Sequence, residues 1–206
     1  MSDLTCGATG STGAEVVNAI NINSAKSNRN ILINGEVTRV NQRGFDGTSW
    51  VDGEYAYDRW KATGSQMTQI VEDGNYKYNT EYILTGDGAP TSHYTSPSSG
   101  DWTLPSVPRT ARNIQLEEGS VATPFEQVPI ADTLARCQRY YEKMEMTIPS
   151  GTTEIYWFKV TKRIPIPTIT SSDANWITTS NTNGNMCRFE RDTGGFTSTI
   201  TIDAEL

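Results

Sequence analysis

The sequence predicts a mainly β protein: a jelly-roll β-sandwich with a short N-terminal helix, one bridging helix and a C-terminal antiparallel β segment. Two observations predict this. Thr, Ser, Asn and Gly supply 76 of the 206 residues, a mix that disfavours long helices and suits short strands joined by tight turns. Apolar stretches of about five to seven residues also recur between turn signals at roughly 10 to 15 residue spacing, as in antiparallel sandwiches. The chain is not of disordered composition, because 35% hydrophobic residues, with five Trp and nine Tyr, can fill a core.

Residues 1–29 read as an attachment segment. A glycine-rich run, Gly7 to Gly13, leads into a helix that Thr12 and Glu15 open as a capping box. Val16, Ala19 and Ile20 share one face, and a helix of about four turns is too short to stand alone. It therefore needs a docking partner, and Val16, Val17 and Ile20 are the expected contacts.

Residues 30–129 read as an antiparallel sandwich or jelly roll. Strands are expected at 31–33, 37–40, 65–71, 81–85 and 111–116, separated by turns such as Asn34-Gly35, Asp73-Gly74 and Gly86-Asp87-Gly88. The Ser-, Pro- and Thr-rich stretch from Pro90 to Pro108 reads as a loop carrying His93, Tyr94 and Trp102.

Residues 130–206 read as the bridging helix and a β domain. Ile130, Leu134, Cys137, Tyr141 and Met144 recur at helical spacing, so a helix is expected over 130–146 with Asp132 as its N-cap. The stretch Glu154 to Thr161 is apolar on both faces, as in a central strand, and Ile164-Pro165-Ile166-Pro167 can only form an edge. Hairpins are expected across Asn181 to Gly184 and across Asp192 to Gly195, the second joining 186–191 to 196–203. In that last strand Phe196, Ser198, Ile200 and Ile202 face one way, and Thr197, Thr199 and Thr201 the other.

Charge and chemistry narrow the function classes. A net charge of -7 and a pI near 4.8 argue against nucleic acid or anionic membranes as partners. No apolar run spans a membrane, and Met1 to Gly7 lacks the pattern of a secretory signal. Cys6, Cys137 and Cys187 have neither disulfide-framework nor metal-ligand spacing, and Cys137 reads as a packed thiol. Glu117 and Glu118 point to opposite faces of a strand, and Asp87 and Asp101 sit in turns, so no carboxylate pair is expected to flank a glycosidic bond. The glycine run lacks a Gly-Lys-Ser/Thr ending, and Asp46 to Glu54 lacks EF-hand spacing. No enzyme activity, cofactor or metal is expected.

Binding is the sharper expectation. Sugars stack on aromatic faces with polar groups around them, and Tyr76, Tyr78, His93, Tyr94 and Trp102 are the candidates. The flanking parts are too small to be stable alone and would bury themselves best against further copies, with Trp157, Phe158, Trp176 and Phe189 at the contacts. Asp58 and Arg59 are expected to pair with each other and pin a strand, with Trp60 covering the core.

Five stretches go beyond β patterning. Residues 30–44 are followed by Tyr57-Asp58-Arg59-Trp60, then Asn113 to Gln127 with its Gln115-Leu116-Glu117 element, then Cys137-Gln138-Arg139-Tyr140-Tyr141-Glu142, and finally Asp203-Ala204-Glu205-Leu206. In this order they resemble the carbohydrate-binding-module-like jelly-roll region of bacteriophage tail fibre and related virion fibre proteins. The resemblance implies a homotrimer on the virion, no enzymatic activity in this module, and adsorption to host-surface glycan, with other virion proteins held through the N-terminus. It also leaves open a head fibre or capsid decoration protein with a structural role. The short stretch between Trp60 and Gln115 implies that the jelly roll is reduced.

Overall fold

The computed structural model describes residues 29–150, 152–172, 177–183, 185–191 and 195–205. The expected N-terminal helix with Val16, Val17 and Ile20 lies outside the described residues, as does Trp176. The chain is mainly β, with antiparallel sheets consistent with a β-sandwich and one helix among the described residues.

The first half carries β1 (Lys61–Thr63), β2 (Gln66–Thr68), β3 (Ile70–Val71), β4 (Glu81–Asp87), β5 (Ser92–Thr95), β6 (Trp102–Thr103), β7 (Val107–Pro108) and β8 (Arg112–Glu118). They form three small sheets, ordered β1-β2-β7, β3-β6 and β5-β4-β8. Alternation along β4 and β8 sends Tyr82, Leu84, Ile114 and Leu116 into one core with Trp60, Met67 and Trp102. The other face of β8 is buried too. Glu117 accepts hydrogen bonds from the Thr123 amide (2.7 Å) and hydroxyl (2.6 Å), which folds the crossing after Gly119 back over the sheet.

Helix α1 (Ile130–Gln138) then leads into β9 (Tyr141–Ile148), β10 (Thr152–Trp157), β11 (Thr168–Ser171), β12 (Ile177–Asn183), β13 (Met186–Arg191) and β14 (Phe196–Asp203). Two sheets, β11-β14-β9 and β10-β13-β12, enclose a second core of Ile148, Phe158, Cys187, Phe189, Ile200 and Ile202. The expected alternation of β14 holds where side chains are described: Ser198, Ile200 and Ile202 are buried, and Thr197 is exposed. A third, small cluster of Ile33, Val40, Cys137 and Tyr140 joins the two halves.

Several expectations are corrected. Residues 31–33 and 37–40 are not strands. The Asn34 side-chain amide donates to the Val37 (2.7 Å) and Val40 (3.0 Å) carbonyls and wraps the segment into a loop. Val37 is held there with φ +68, a conformation rare for a β-branched residue. The 65–71 stretch breaks into β2 and β3 at Gln69, whose amide exchanges two hydrogen bonds with the Ile33 backbone at 2.8 Å. The expected loop from Pro90 to Pro108 contains β5, β6 and β7.

The bridging helix stops at Gln138, not Met146, and Pro129 rather than Asp132 is its N-cap. From Tyr141 onward Glu142, Met144, Met146 and Ile148 alternate with Lys143, Glu145 and Thr147, a period of two that belongs to a strand. Within 154–161 only 154–157 are strand, and they lie in β10 at the edge of its sheet rather than at its centre, since among the described residues β10 pairs with β13 alone. Residues 164–167 form no strand. The 181–184 hairpin is formed by β12 and β13, but β13 and β14 lie in different sheets, so the second expected hairpin is not.

One close approach fixes the loop against β8. A side chain on Gly35 would collide with the Ile114 carbonyl oxygen and press on Asn30 and Phe125. Gly35→Ala is therefore expected to destabilise the chain by about 1–3 kcal/mol through overpacking. Urea denaturation checks this: the midpoint should fall with an unchanged slope, and an unchanged midpoint would show the approach to be relaxed.

Candidate functional site

The five aromatic and imidazole candidates do not share one surface. Tyr76 and Trp102 are interior residues, which corrects their assignment to a ligand face. Their ring centroids lie 5.3 Å apart, Tyr82 packs on Trp102 at 5.3 Å, and the Tyr76 hydroxyl donates to the Gly100 carbonyl. Tyr94 is directly opposite Tyr82 across β5 and β4 and leans on the same core. Tyr78 and His93 stay accessible, at 44% and 49% exposure.

Both accessible groups already have polar partners. The Tyr78 hydroxyl donates to Asp73 at 2.5 Å, and this hydrogen bond holds the phenol above its ordinary pKa. The Asp73 amide in turn donates to Asp101 at 2.9 Å, and Arg163 donates to Asp101 at 2.6 Å. His93 Nδ1 lies 3.3 Å from Glu81 on the neighbouring strand. Such a surface, an aromatic ring edged by carboxylates, can stack on a sugar and accept from its hydroxyls.

The expected oligomer contacts separate as well. Phe158 and Phe189 lie in the second core of their own chain, so they are corrected to interior residues. Trp157 is 66% exposed and Ile155 53% exposed, two positions apart on edge strand β10 and hence on one face.

The motif residues converge instead on a buried charged cluster. Arg59 does not pair with Asp58. Its guanidinium lies 3.5 Å from the Tyr140 ring centroid and donates to Glu205 and to the Ile70 carbonyl. Arg43 stacks over Tyr141 at 3.8 Å and reaches Asp203 (3.3 Å) and Glu205 (3.4 Å). Asp58 accepts from the Gln42 amide nitrogen (2.6 Å) and side chain (2.7 Å), and Gln42 also donates to the Tyr141 carbonyl (3.0 Å). Burial raises the pKa of both Glu205 and Asp58, against the pull of the arginines and, for Asp58, of the Gln42 hydrogen bonds.

Two further ion pairs accompany this cluster. Arg139 donates to both oxygens of Glu72 (3.1 and 2.7 Å), and the Tyr140 hydroxyl donates to the same carboxylate at 2.8 Å. Burial pushes Tyr140 up to about 12. In the second core Lys162 donates to Glu142 at 2.7 Å, and Tyr156 to the same carboxylate at 2.5 Å. Cys137 and Cys187 are free and buried, and burial raises both thiols. Among the described residues, no group of three or more His, Cys, Asp or Glu side chains gathers to hold a metal. The Asp46 carboxylate, in the stretch that lacks EF-hand spacing, accepts from Thr48 and Ser49.

Sequence reasoning missed the long-range partners: nothing local in Arg59 or Glu205 signals that residues 146 positions apart meet. Comparisons with protein-family models, with curated proteins and with solved structures find no match to this chain.

The Glu72 pair makes a pH prediction. Burial raises this carboxyl, but hydrogen bonds from Arg139 and Tyr140 outweigh it and leave the pKa below the ordinary 4.5. The unfolded chain then binds this proton at higher pH than the folded chain. The stability it contributes is complete above about pH 4.5 and is lost as pH falls through the lowered value. Glu72→Gln should cost about 1 kcal/mol near pH 7 and less at a pH well below 4.5, read by urea denaturation at both. An equal loss at both would contradict the assignment.

Proposed function

We propose that the chain is a non-enzymatic bacteriophage virion fibre protein, a tail fibre or tip that adsorbs to glycan on the host surface, working as a homotrimer. The observation that carries this reading is the ordered set of separated motifs at 58–60, 115–117, 137–142 and 203–205. Their side chains support a scaffold role: Arg59, Tyr140 and Glu205 meet in one cluster, and Gln115 with Glu117 ties down the crossing toward α1. Charged groups of these motifs are engaged by other side chains or by backbone, as structural groups are.

Assembly is supported by β10. An edge strand carrying exposed Trp157 and Ile155 is a surface that isolated proteins ordinarily blunt or cover. A neighbouring copy would bury both side chains, worth roughly 1.5–3 kcal/mol for each large apolar group. Glycan contact is supported by Tyr78 and His93, the accessible members of the aromatic set.

The purified chain is expected to scatter light as three copies, and replacing Ile155 and Trp157 together by Glu should yield single chains. On a glycan array the trimer is expected to retain host-surface polysaccharide, and antibody should label the phage tail. Labelling of the capsid without glycan retention would assign the structural head-fibre role instead.

A further inference from the structure

A cleft of about 360 Å³ opens where α1 meets the loop after residue 29, within the size range of small-molecule sites. None of the aromatic candidates lines it. Its two cations differ. Arg139 is answered by Glu72 through the two hydrogen bonds described above. Arg136, in the last turn of α1, is half-buried and makes no hydrogen bond or ion pair with the described residues. Glu126 and Asp132 act on it only through space, and Glu126 is occupied in accepting from the Arg29 amide at 3.1 Å.

A guanidinium that has lost part of its water without gaining a partner favours an anion. Its planar fork matches a carboxylate, which can accept two parallel hydrogen bonds. A cation that the described residues leave unanswered, in a chain of net charge -7, favours a singly charged ligand over a doubly charged phosphate. The remaining lining suits a sugar ring. Ile31 and Ile33 supply apolar surface, and the exposed Asn75 side chain, unengaged by the described residues, offers both a donor and an acceptor. Asn30 is wall rather than ligand, because its amide already donates to the Ile114 carbonyl and accepts from Leu32 and Leu116.

We propose that this cleft binds a carboxylate-bearing sugar, a hexuronate unit of an acidic glycan, with Arg136 taking the carboxylate and Asn75 a hydroxyl. The proposal rests on the adsorption reading and names the class of glycan.

Calorimetric titration of the intact oligomer with a galacturonate oligosaccharide and with its methyl ester tests it. The acid should bind, and the ester at least tenfold more weakly. Arg136→Gln should lose tenfold or more for the acid, Arg136→Lys should recover part of it, and Asn75→Ala should weaken binding in a chain with an unchanged melting curve. Equal binding of acid and ester, or wild-type affinity in Arg136→Gln, overturns the cleft assignment. Acetate displacing the oligosaccharide at equal concentration also overturns it, since the sugar would then contribute nothing. Competition of the oligosaccharide with phage adsorption separates the two readings. Arg136-dependent binding that leaves adsorption untouched keeps the cleft and removes the adsorption role. Glycan retention that Arg136→Gln does not alter keeps adsorption and removes the cleft.

Discussion

A guanidinium taken out of water costs several kcal/mol unless charge and hydrogen bonds answer it, and Arg59 is 1% exposed. What answers it comes from three distant parts of the chain: the Ile70 carbonyl, the Tyr140 ring and the Glu205 carboxylate. Its Nε has no acceptor among the described residues, so the other contacts carry the whole compensation. The residue itself sits at φ +70, a conformation that persists when surroundings over-determine it. Arg59 and Arg43 both face Glu205 and offset part of what its carboxylate loses by burial. Each partner is tolerable inside only because the other is there.

The rest of the architecture follows from that dependence. Neither half is large, and each has its own apolar cluster. The seam between them is mostly polar: Arg43 with Asp203, Arg139 with Glu72, Arg163 with Asp101, and Gln42 bridging Asp58 to the Tyr141 carbonyl. Ion pairs of this kind depend on geometry and register more than on contact area. The abrupt change from α1 to β9 serves the same end, because it aims Tyr140 at Arg59 and Tyr141 at Arg43. The cleft beside Arg136 lies at that junction, where the helix end and neighbouring loops meet without filling the space.

What the sequence made legible was local. Apolar stretches between turn signals located β4 and β8, period-two alternation located β14, and the Asn-rich turn located the β12–β13 hairpin. What it hid was long-range. Asn34 folds 31–40 into a loop through side-chain hydrogen bonds that no strand propensity records. The 139–148 stretch fits a helical stripe through Tyr141 and Met144 as well as a strand, and pairing with β14 decided it. The candidate site was legible only in part, since aromatic identity does not tell Tyr78 on the surface from Tyr76 beneath it. Arg136 stands off the helix's apolar stripe in the sequence, but that it has no partner among the described residues is a property of the folded chain.

A double-mutant cycle on Arg59 and Glu205 tests the central dependence most directly. Arg59→Met and Glu205→Leu, singly and together, would be compared by urea denaturation of the otherwise intact chain. Each single change strands a buried charge and is expected to cost about 3–5 kcal/mol. The double variant should cost less than the sum by at least about 2 kcal/mol. Additivity within about 0.5 kcal/mol would mean that the two residues do not hold each other in place.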